Sequence, residues 1–276
     1  MDMSDTPLLA SDSCRALEVL GWRDASLVSR QDCVAEERPV AFEYNGISHA
    51  VMMATPHYLE DFAYGFSVTE GIVDTASQIL DCEFSSSAQG CTLHITIAAV
   101  CFARLKHMRR NLTGRTGCGL CGTESLSHAV RVPAPLPALP GFSARAIARG
   151  VASMREGQWL LSATGATHAA AWCRADGEVA LIREDVGRHN ALDKLAGALA
   201  RSGQTASAGF AVITSRASYE MVQKTASMGI GTLVAVSGVT GLAVDVAERA
   251  GLTLMGFARG DDVSIYTHPE RFRLED

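Results

Sequence analysis

Cys118 and Cys121 are the residues whose type and spacing point most directly to chemistry. They stand in Gly117-Cys118-Gly119-Leu120-Cys121-Gly122, and of the eight cysteines, at 14, 33, 82, 91, 101, 118, 121 and 173, only these two have motif spacing. A thiolate is the nucleophile of sulfur chemistry, and nearby cations lower its pKa from about 8.5. Arg104, Lys106, Arg109, Arg110 and Arg115 run into the pair and can supply that field. Glycines at 117, 119 and 122 leave the thiols open, which suits receiving a sulfur atom and handing it on.

Other chemistries compete for the pair. A structural zinc site needs four ligands, and Cys101 or His128 would have to be recruited from afar. A zinc deaminase needs His-x-Glu together with Pro-Cys-x-x-Cys, and Gly117 stands where that proline belongs. A thioredoxin-like dithiol expects the pair after a strand of a βαβ unit, whereas this pair follows a basic segment. Two inert buried thiols are disfavoured, because the surrounding glycines give little cover.

Three polar clusters follow apolar runs. Ile182 leads into Arg183-Glu184-Asp185-Val186-Gly187-Arg188-His189-Asn190, Ile213 into Thr214-Ser215-Arg216-Ala217-Ser218, and Val236 into Ser237-Gly238-Val239-Thr240. In open α/β sheets, ligands bind beyond the carboxyl ends of strands, where helix starts offer free N–H groups to anions. The plain readings are N-caps for Ser215 and Thr240 and a salt-bridged helix start for Arg183 to Asn190. Phe257-Ala258-Arg259-Gly260-Asp261-Asp262 reads as a turn between two strands, in which Arg259 either holds a phosphate or lies in a solvated hairpin.

The elements that must position these residues fall into two regions. Residues 1–35 have weak periodicity and read as an irregular lead-in. From 36 to 130 the pattern is β-rich α+β. Val40 to Tyr44 and Ile47 to Met53 are strands joined at Asn45-Gly46, a hairpin signal. Thr55-Pro56 reads as an N-cap and first-turn proline before Leu59, Phe62, Ala63 and Phe66 at helical spacing. Ile79 to Phe84 and Thr92 to Val100 are further strands. Residues 131–141 hold Pro133, Pro135, Pro137 and Pro140 and form a linker. From 142 to 276, helices near 144–154, 190–200, 219–228 and 242–250 are interleaved with short apolar strands from His168 to Tyr266. That alternation predicts an α/β layered domain with a largely parallel sheet.

Composition sets the outer limits. The chain has 276 residues, 47% hydrophobic and 20% charged, so it can bury a sizeable core as one large or two modest domains, and disorder throughout is excluded. A net charge of -6 argues against binding nucleic acid by phosphate neutralisation, so an anionic ligand must meet a local basic cluster. The cysteines are too sparse for a disulfide scaffold. Met-Asp-Met-Ser-Asp-Thr-Pro lacks the basic start and apolar core of a secretory signal. Apolar runs such as Ile97 to Ala103 fall short of a membrane span. A cytoplasmic, reducing location without membrane partners is expected.

Taken together, several stretches resemble the FdhD family, sulfur carrier proteins required for formate dehydrogenase activity. They are Arg38-Pro39-Val40, Asn45-Gly46, Met53 to Pro56 with Leu59 to Phe66, Glu70-Gly71-Ile72, Cys118 to Gly122, Thr164 to His168, Arg183 to Lys194, Thr214 to Lys224, and Gly251 to Tyr266. The longest reads Arg-Glu-Asp-Val-Gly-Arg-His-Asn-Ala-Leu-Asp-Lys.

The resemblance implies a cytidine-deaminase-like core without the deaminase zinc. It also implies a sulfurtransferase, in which a cysteine desulfurase loads a persulfide on the cysteine loop. The sulfur then passes to the bis-molybdopterin guanine dinucleotide form of the molybdenum cofactor, which goes to the formate dehydrogenase catalytic subunit. By motif position Cys118 is the persulfide carrier, Cys121 a partner thiol, and Phe257, Ala258, Arg259, Gly260, Asp261 and Asp262 the cofactor-binding stretch, with a guanine nucleotide as analogue. Asp262 stands where the family is often basic, which shifts the expected phosphate contact to Arg259. A homodimer is expected. The rivals are a cofactor chaperone without sulfur transfer and a dithiol oxidoreductase.

Overall fold

In the computed structural model, residues 13–113 and 133–274 are described. The first element differs from the expected irregular lead-in. β1 (Cys14–Arg23) and β2 (Ser26–Ala35) form an antiparallel ribbon, Cys14 opposite Ala35 and Arg23 opposite Ser26. Leu20, Trp22 and Leu27 stay exposed on it. Because neither face is buried along its length, the ribbon lacks the apolar and polar alternation by which a half-buried strand is recognised.

β3 (Arg38–Tyr44) and β4 (Ile47–Ala54) meet at Asn45 and Gly46, with φ of 48° and 80°. Two successive positive φ values are what a type I′ hairpin turn needs. β5 (Ile79–Ser87) and β6 (Gly90–Ile97) complete a sheet in the order β4-β3-β6-β5. Val40, Phe42 and Tyr44 alternate inward with Cys91, Leu93, Ile95 and Ile97, and helix α1 (Leu59–Thr69) covers them. Phe42 packs against Phe62 and Phe66, with ring centroids 4.9 and 4.3 Å apart. β6 stops at Ile97, and α2 (Ala99–Thr113) takes up residues read in sequence as strand end and basic segment.

The expected N-cap at Thr55 is not used as one. α1 starts after Tyr58, an αL residue with φ of 54°. Thr55 instead ties to the C-terminal region: its N–H donates to Asp185 (3.0 Å), and its hydroxyl accepts from Val186 N (3.2 Å).

Residues 133–141 form no helix or strand before β7 (Phe142–Ser143), but they are pinned. Leu136 N donates to Ala250 O (2.9 Å), and Leu139 packs over Gly231. There follow α3 (Ala144–Glu156), α4 (Trp159–Thr164), β8 (His168–Cys173), β9 (Val179–Asp185), α5 (Arg188–Ser202), β10 (Phe210–Ile213), α6 (Tyr219–Ser227), β11 (Thr232–Ala235), α7 (Gly241–Ala250), β12 (Thr253–Arg259), β13 (Asp262–Ile265) and β14 (Phe272–Arg273). The main sheet has the order β13-β12-β11-β10-β8-β9.

This sheet is mixed, where a largely parallel one was expected. Only β10–β11 and β11–β12 pair in parallel, because the β8–β9 and β12–β13 hairpins add antiparallel partners. Even so, β9 to β12 all run the same way. Trp172, Ile213, Leu233 and Leu254 face α5, α6 and α7, while Ala171, Val212, Val234 and Met255 face α3. Burial on both faces explains why these strands read as short continuous apolar runs.

The two regions join helix to helix. α1 lies on α5 so closely that a Cβ at Gly65 would strike the Asp193 carbonyl, and one at Gly197 the Asp61 carbonyl. Polar groups rim the contact. Asp61 receives Arg183 (2.7 Å) and Arg201 (2.6 Å), and Lys224 bridges Asp193 (2.9 Å) and Glu70 (2.6 Å).

His57 is caught in this joint, stacked on Tyr58 at 3.7 Å. Burial first, then the charges of Lys194 and Arg183, hold its pKa down to about 4. The unfolded chain therefore binds a proton near pH 6.5 that the folded protein refuses until about pH 4. Stability from this residue is complete above that window and is lost as pH falls through it. We expect His57→Gln to reduce the fall in unfolding free energy between those pH values, read by urea denaturation, by about 1–2 kcal/mol, after allowance for partial solvent screening. An unchanged slope would refute the assignment.

Candidate functional site

The carboxyl ends of β9, β10, β11 and β12 share one edge of the main sheet, and β8 begins there. This brings together His168, Arg188 and His189, the 214–218 and 236–240 loops, and the β12–β13 turn. Backbone bonds sew them side by side. Thr214 N donates to Ala169 O (3.1 Å), Ala217 N to Gly238 O (3.0 Å), Thr240 N to Ala217 O (3.1 Å) and Phe257 N to Ser237 O (3.0 Å).

Phe257 is held in an unusual conformation. β12 bulges between Gly256 and Arg259, and Phe257 takes a φ of 54°. Its ring lies over Gly238, where a Cβ would come within 3.0 Å of it, and the residue is 52% exposed. A positive φ is rare for a bulky residue and here presents an aromatic face at the edge. Ala258 is buried toward α3, while Arg259, Gly260, Asp261 and Asp262 are exposed. β12 runs on to Arg259, so the turn proper is Gly260-Asp261.

Two helix starts at this edge lack side-chain caps. α5 follows Gly187 and α6 follows Ser218, whose hydroxyl is buried and has no partner among the described residues. Ser218, not Ser215, occupies the cap position of α6. Thr240 does cap α7, accepting from Ala243 N (3.3 Å). His189 Nε2 lies 2.7 Å from Glu220, linking α5 to α6. Burial, and then Arg188, hold His168 below the ordinary histidine value.

The cluster from Arg183 to Asn190 divides in two. Arg183 pairs with Asp61 and stacks over Tyr58 at 4.1 Å. Glu184 accepts from Leu160 N (2.9 Å), Leu161 N (2.8 Å) and Thr167 Oγ1 (3.0 Å), capping α4. Asp185 and Lys194, both fully buried, pair at 2.6 Å. Asn190 Nδ2 donates to Asp185 (2.9 Å) and Met53 O (2.7 Å). These residues are architecture, and Arg188 and His189 alone remain for the edge. Thr55, Lys194 and Lys224 carry this architecture without a spacing signal of their own, although the resembling stretches include all three.

Among the described residues, Arg188, Arg216 and Arg259 form no ion pair with a carboxylate. A basic depression of about 530 Å³ lies at the opposite end of the sheet by the β8–β9 turn. There Arg149 is neutralised by Asp176 (2.9 Å), and Arg273 donates to Gly141 O (2.7 Å). Uncompensated guanidinium groups beside uncapped helix starts favour an anion at the strand-end edge. No group of three or more His, Cys, Asp or Glu is placed to hold a metal ion among the described residues. The His268-Pro269-Glu270 segment folds on itself, with His268 Nδ1 3.4 Å from Glu270. Cys118 and Cys121 lie outside the described residues.

Fold and edge thus define a mixed α/β protein whose strand-end edge carries an exposed aromatic ring and arginines without carboxylate partners among the described residues. The model of the FdhD/NarQ family matches residues 35–273, and the chain belongs to that family. The sulfur carrier protein FdhD of Variovorax paradoxus (strain S110) is 55% identical over 271 residues, covering 98% of this chain and 97% of that one. The protein of the same name from Cupriavidus necator (strain H16) is 56% identical over 254 residues, covering 92% and 88%. A crystal structure assigned to a formate dehydrogenase accessory protein of Desulfotalea psychrophila shares the fold. Its TM-score is 0.73 at 22% identity, over 94% of this chain and 99% of that one.

Proposed function

We propose that this protein is a sulfur carrier that loads the molybdenum cofactor before its insertion into formate dehydrogenase. The carrier role is supported by the names of relatives 55% and 56% identical to this chain over the aligned residues. The observation that carries the cofactor part is the placement of Arg188, Arg216 and Arg259, without carboxylate partners among the described residues, at the same sheet edge as the exposed Phe257 ring. Bis-molybdopterin guanine dinucleotide, the substrate, bears diphosphates and guanine bases. Guanidinium groups and free helix N–H groups suit the first, and an aromatic face suits the second.

Sulfur would arrive by thiol-persulfide exchange. The Cys118 thiolate attacks the terminal sulfur of a cysteine desulfurase persulfide, the donor S–S bond breaks, and the donor leaves as a thiolate. Attack of Cys121 on Cys118 Sγ then releases the outer sulfur as hydrosulfide to the cofactor. The resulting Cys118–Cys121 disulfide is reopened by a small dithiol. A homodimer in the cytoplasm and a deaminase-like core without zinc belong to the same reading.

Calorimetry with guanosine diphosphate tests the edge. Binding to the wild-type protein should weaken about 10-fold or more in Arg259→Ala, the loss expected for one charge-assisted hydrogen bond of about 1.5–3 kcal/mol. Absence of binding to the wild type would count against the cofactor reading.

A further inference from the structure

We propose that Cys14 and Cys33 form a second dithiol, independent of the cysteine loop, which a small-molecule disulfide converts into an intramolecular disulfide closing the base of the β1–β2 ribbon. The register sets Cys14 opposite Ala35 and Cys33 opposite Ala16, so the two thiols project from one face as diagonal neighbours. The right-handed twist, strongest in two-stranded ribbons, draws such a diagonal together. Cys33 is also the neighbour that acts most strongly on the Cys14 thiol. Both are partly exposed, unlike the buried Cys91, Cys101 and Cys173. Glu36 N, donating to Ser13 O at 2.8 Å, holds the open end of the ribbon closed.

The surroundings set the rate of closure. Around the pair stand Glu36, paired to Arg15 at 3.2 Å, and Asp32, which accepts from Cys33 N at 3.1 Å. α4, packed against β2, has no titratable side chain. The thiol hydrogen bond from Cys33, then burial, push Cys14 up to about 11. Thiolate is the reactive form, so the Cys14 step is slow at neutral pH and quickens as pH rises. This behaviour separates it from a carrier thiol activated by cations.

The exchange balances in two steps. One thiolate attacks the small disulfide, forming a mixed disulfide and expelling one small thiolate. Its neighbour, having lost its proton to solvent, attacks the protein sulfur and expels the second. Two protein thiols are oxidised, and one disulfide is reduced to two thiols.

The test is incubation of the folded full-length chain with oxidised glutathione at pH 7 and pH 9, followed by alkylation and peptide mass mapping. We expect a Cys14–Cys33 linked peptide, formed about 10- to 100-fold faster at pH 9 as the thiolate fraction grows. Cys82 and Cys173 should stay alkylatable, and the link should persist in the Cys118→Ser/Cys121→Ser variant. Cys14 and Cys33 remaining alkylatable, a glutathione adduct persisting on Cys14, or a link forming only after unfolding would each overturn the proposal.

Discussion

Asp185→Ala is expected to destabilise the protein by about 3–5 kcal/mol, the cost of stranding one partner of a buried ion pair. Asp185 accepts from Thr55 N (3.0 Å), Gly187 N (2.8 Å), Asn190 Nδ2 (2.9 Å) and Lys194 Nζ (2.6 Å). Truncation removes the shared acceptor of all four, leaving Asn190 only Met53 O. Lys194 is fully buried, and burial already pushes its pKa down. It would keep only its bond to Thr55 O at 2.8 Å. Domains hold together by about 5–15 kcal/mol, so the loss is a large share of the total. Urea denaturation measures it directly. The double variant Asp185→Ala/Lys194→Met should recover part of the loss, because the unpaired charge is gone. A cost below about 1 kcal/mol would show that the joint does not depend on this pair.

Cys118→Ala should abolish the sulfur adduct formed with a cysteine desulfurase and bring formate dehydrogenase activation to background, while guanosine diphosphate binding persists. Cys82, Cys91, Cys101 and Cys173 are no ready substitutes. Burial raises Cys82 to about 11 and Cys173 to about 12, and Cys91 and Cys101 are buried. A thiol protonated at neutral pH is a poor nucleophile. Cys121→Ala should keep the adduct and slow its release. Intact mass after desulfurase treatment reads both variants. An adduct that survives Cys118→Ala but not Cys121→Ala reverses the two roles. Formate dehydrogenase activation that survives Cys118→Ala leaves a cofactor chaperone without sulfur transfer.

Elements were legible in sequence where burial imposes a period or a turn demands a residue. Asn45-Gly46 announced its hairpin because few other residues take two positive φ values. His168 to Cys173 and Phe210 to Ile213 were readable as strands because both faces of the sheet are covered. The ribbon of residues 14–35 was not legible, since an exposed ribbon needs no alternation. Thr55 misled for another reason. Its hydroxyl and N–H suit a helix start, yet they are used by Asp185 and Val186, more than a hundred positions later.

The candidate site shows the same division. Sequence alone determined which residue types follow the strands, that Cys118 and Cys121 have motif spacing, and that arginines are concentrated despite a net charge of -6. Tertiary structure decided which of those arginines are available. Arg183 and Arg188 stand five positions apart in one polar run, but Arg183 is held by Asp61 of α1, while Arg188 has no carboxylate partner. A charge is neutralised by its neighbours in space, and chain folding sets those neighbours. Spacing could therefore mark the edge, and only the packing of α1 on α5 separated its structural charges from those left for a ligand.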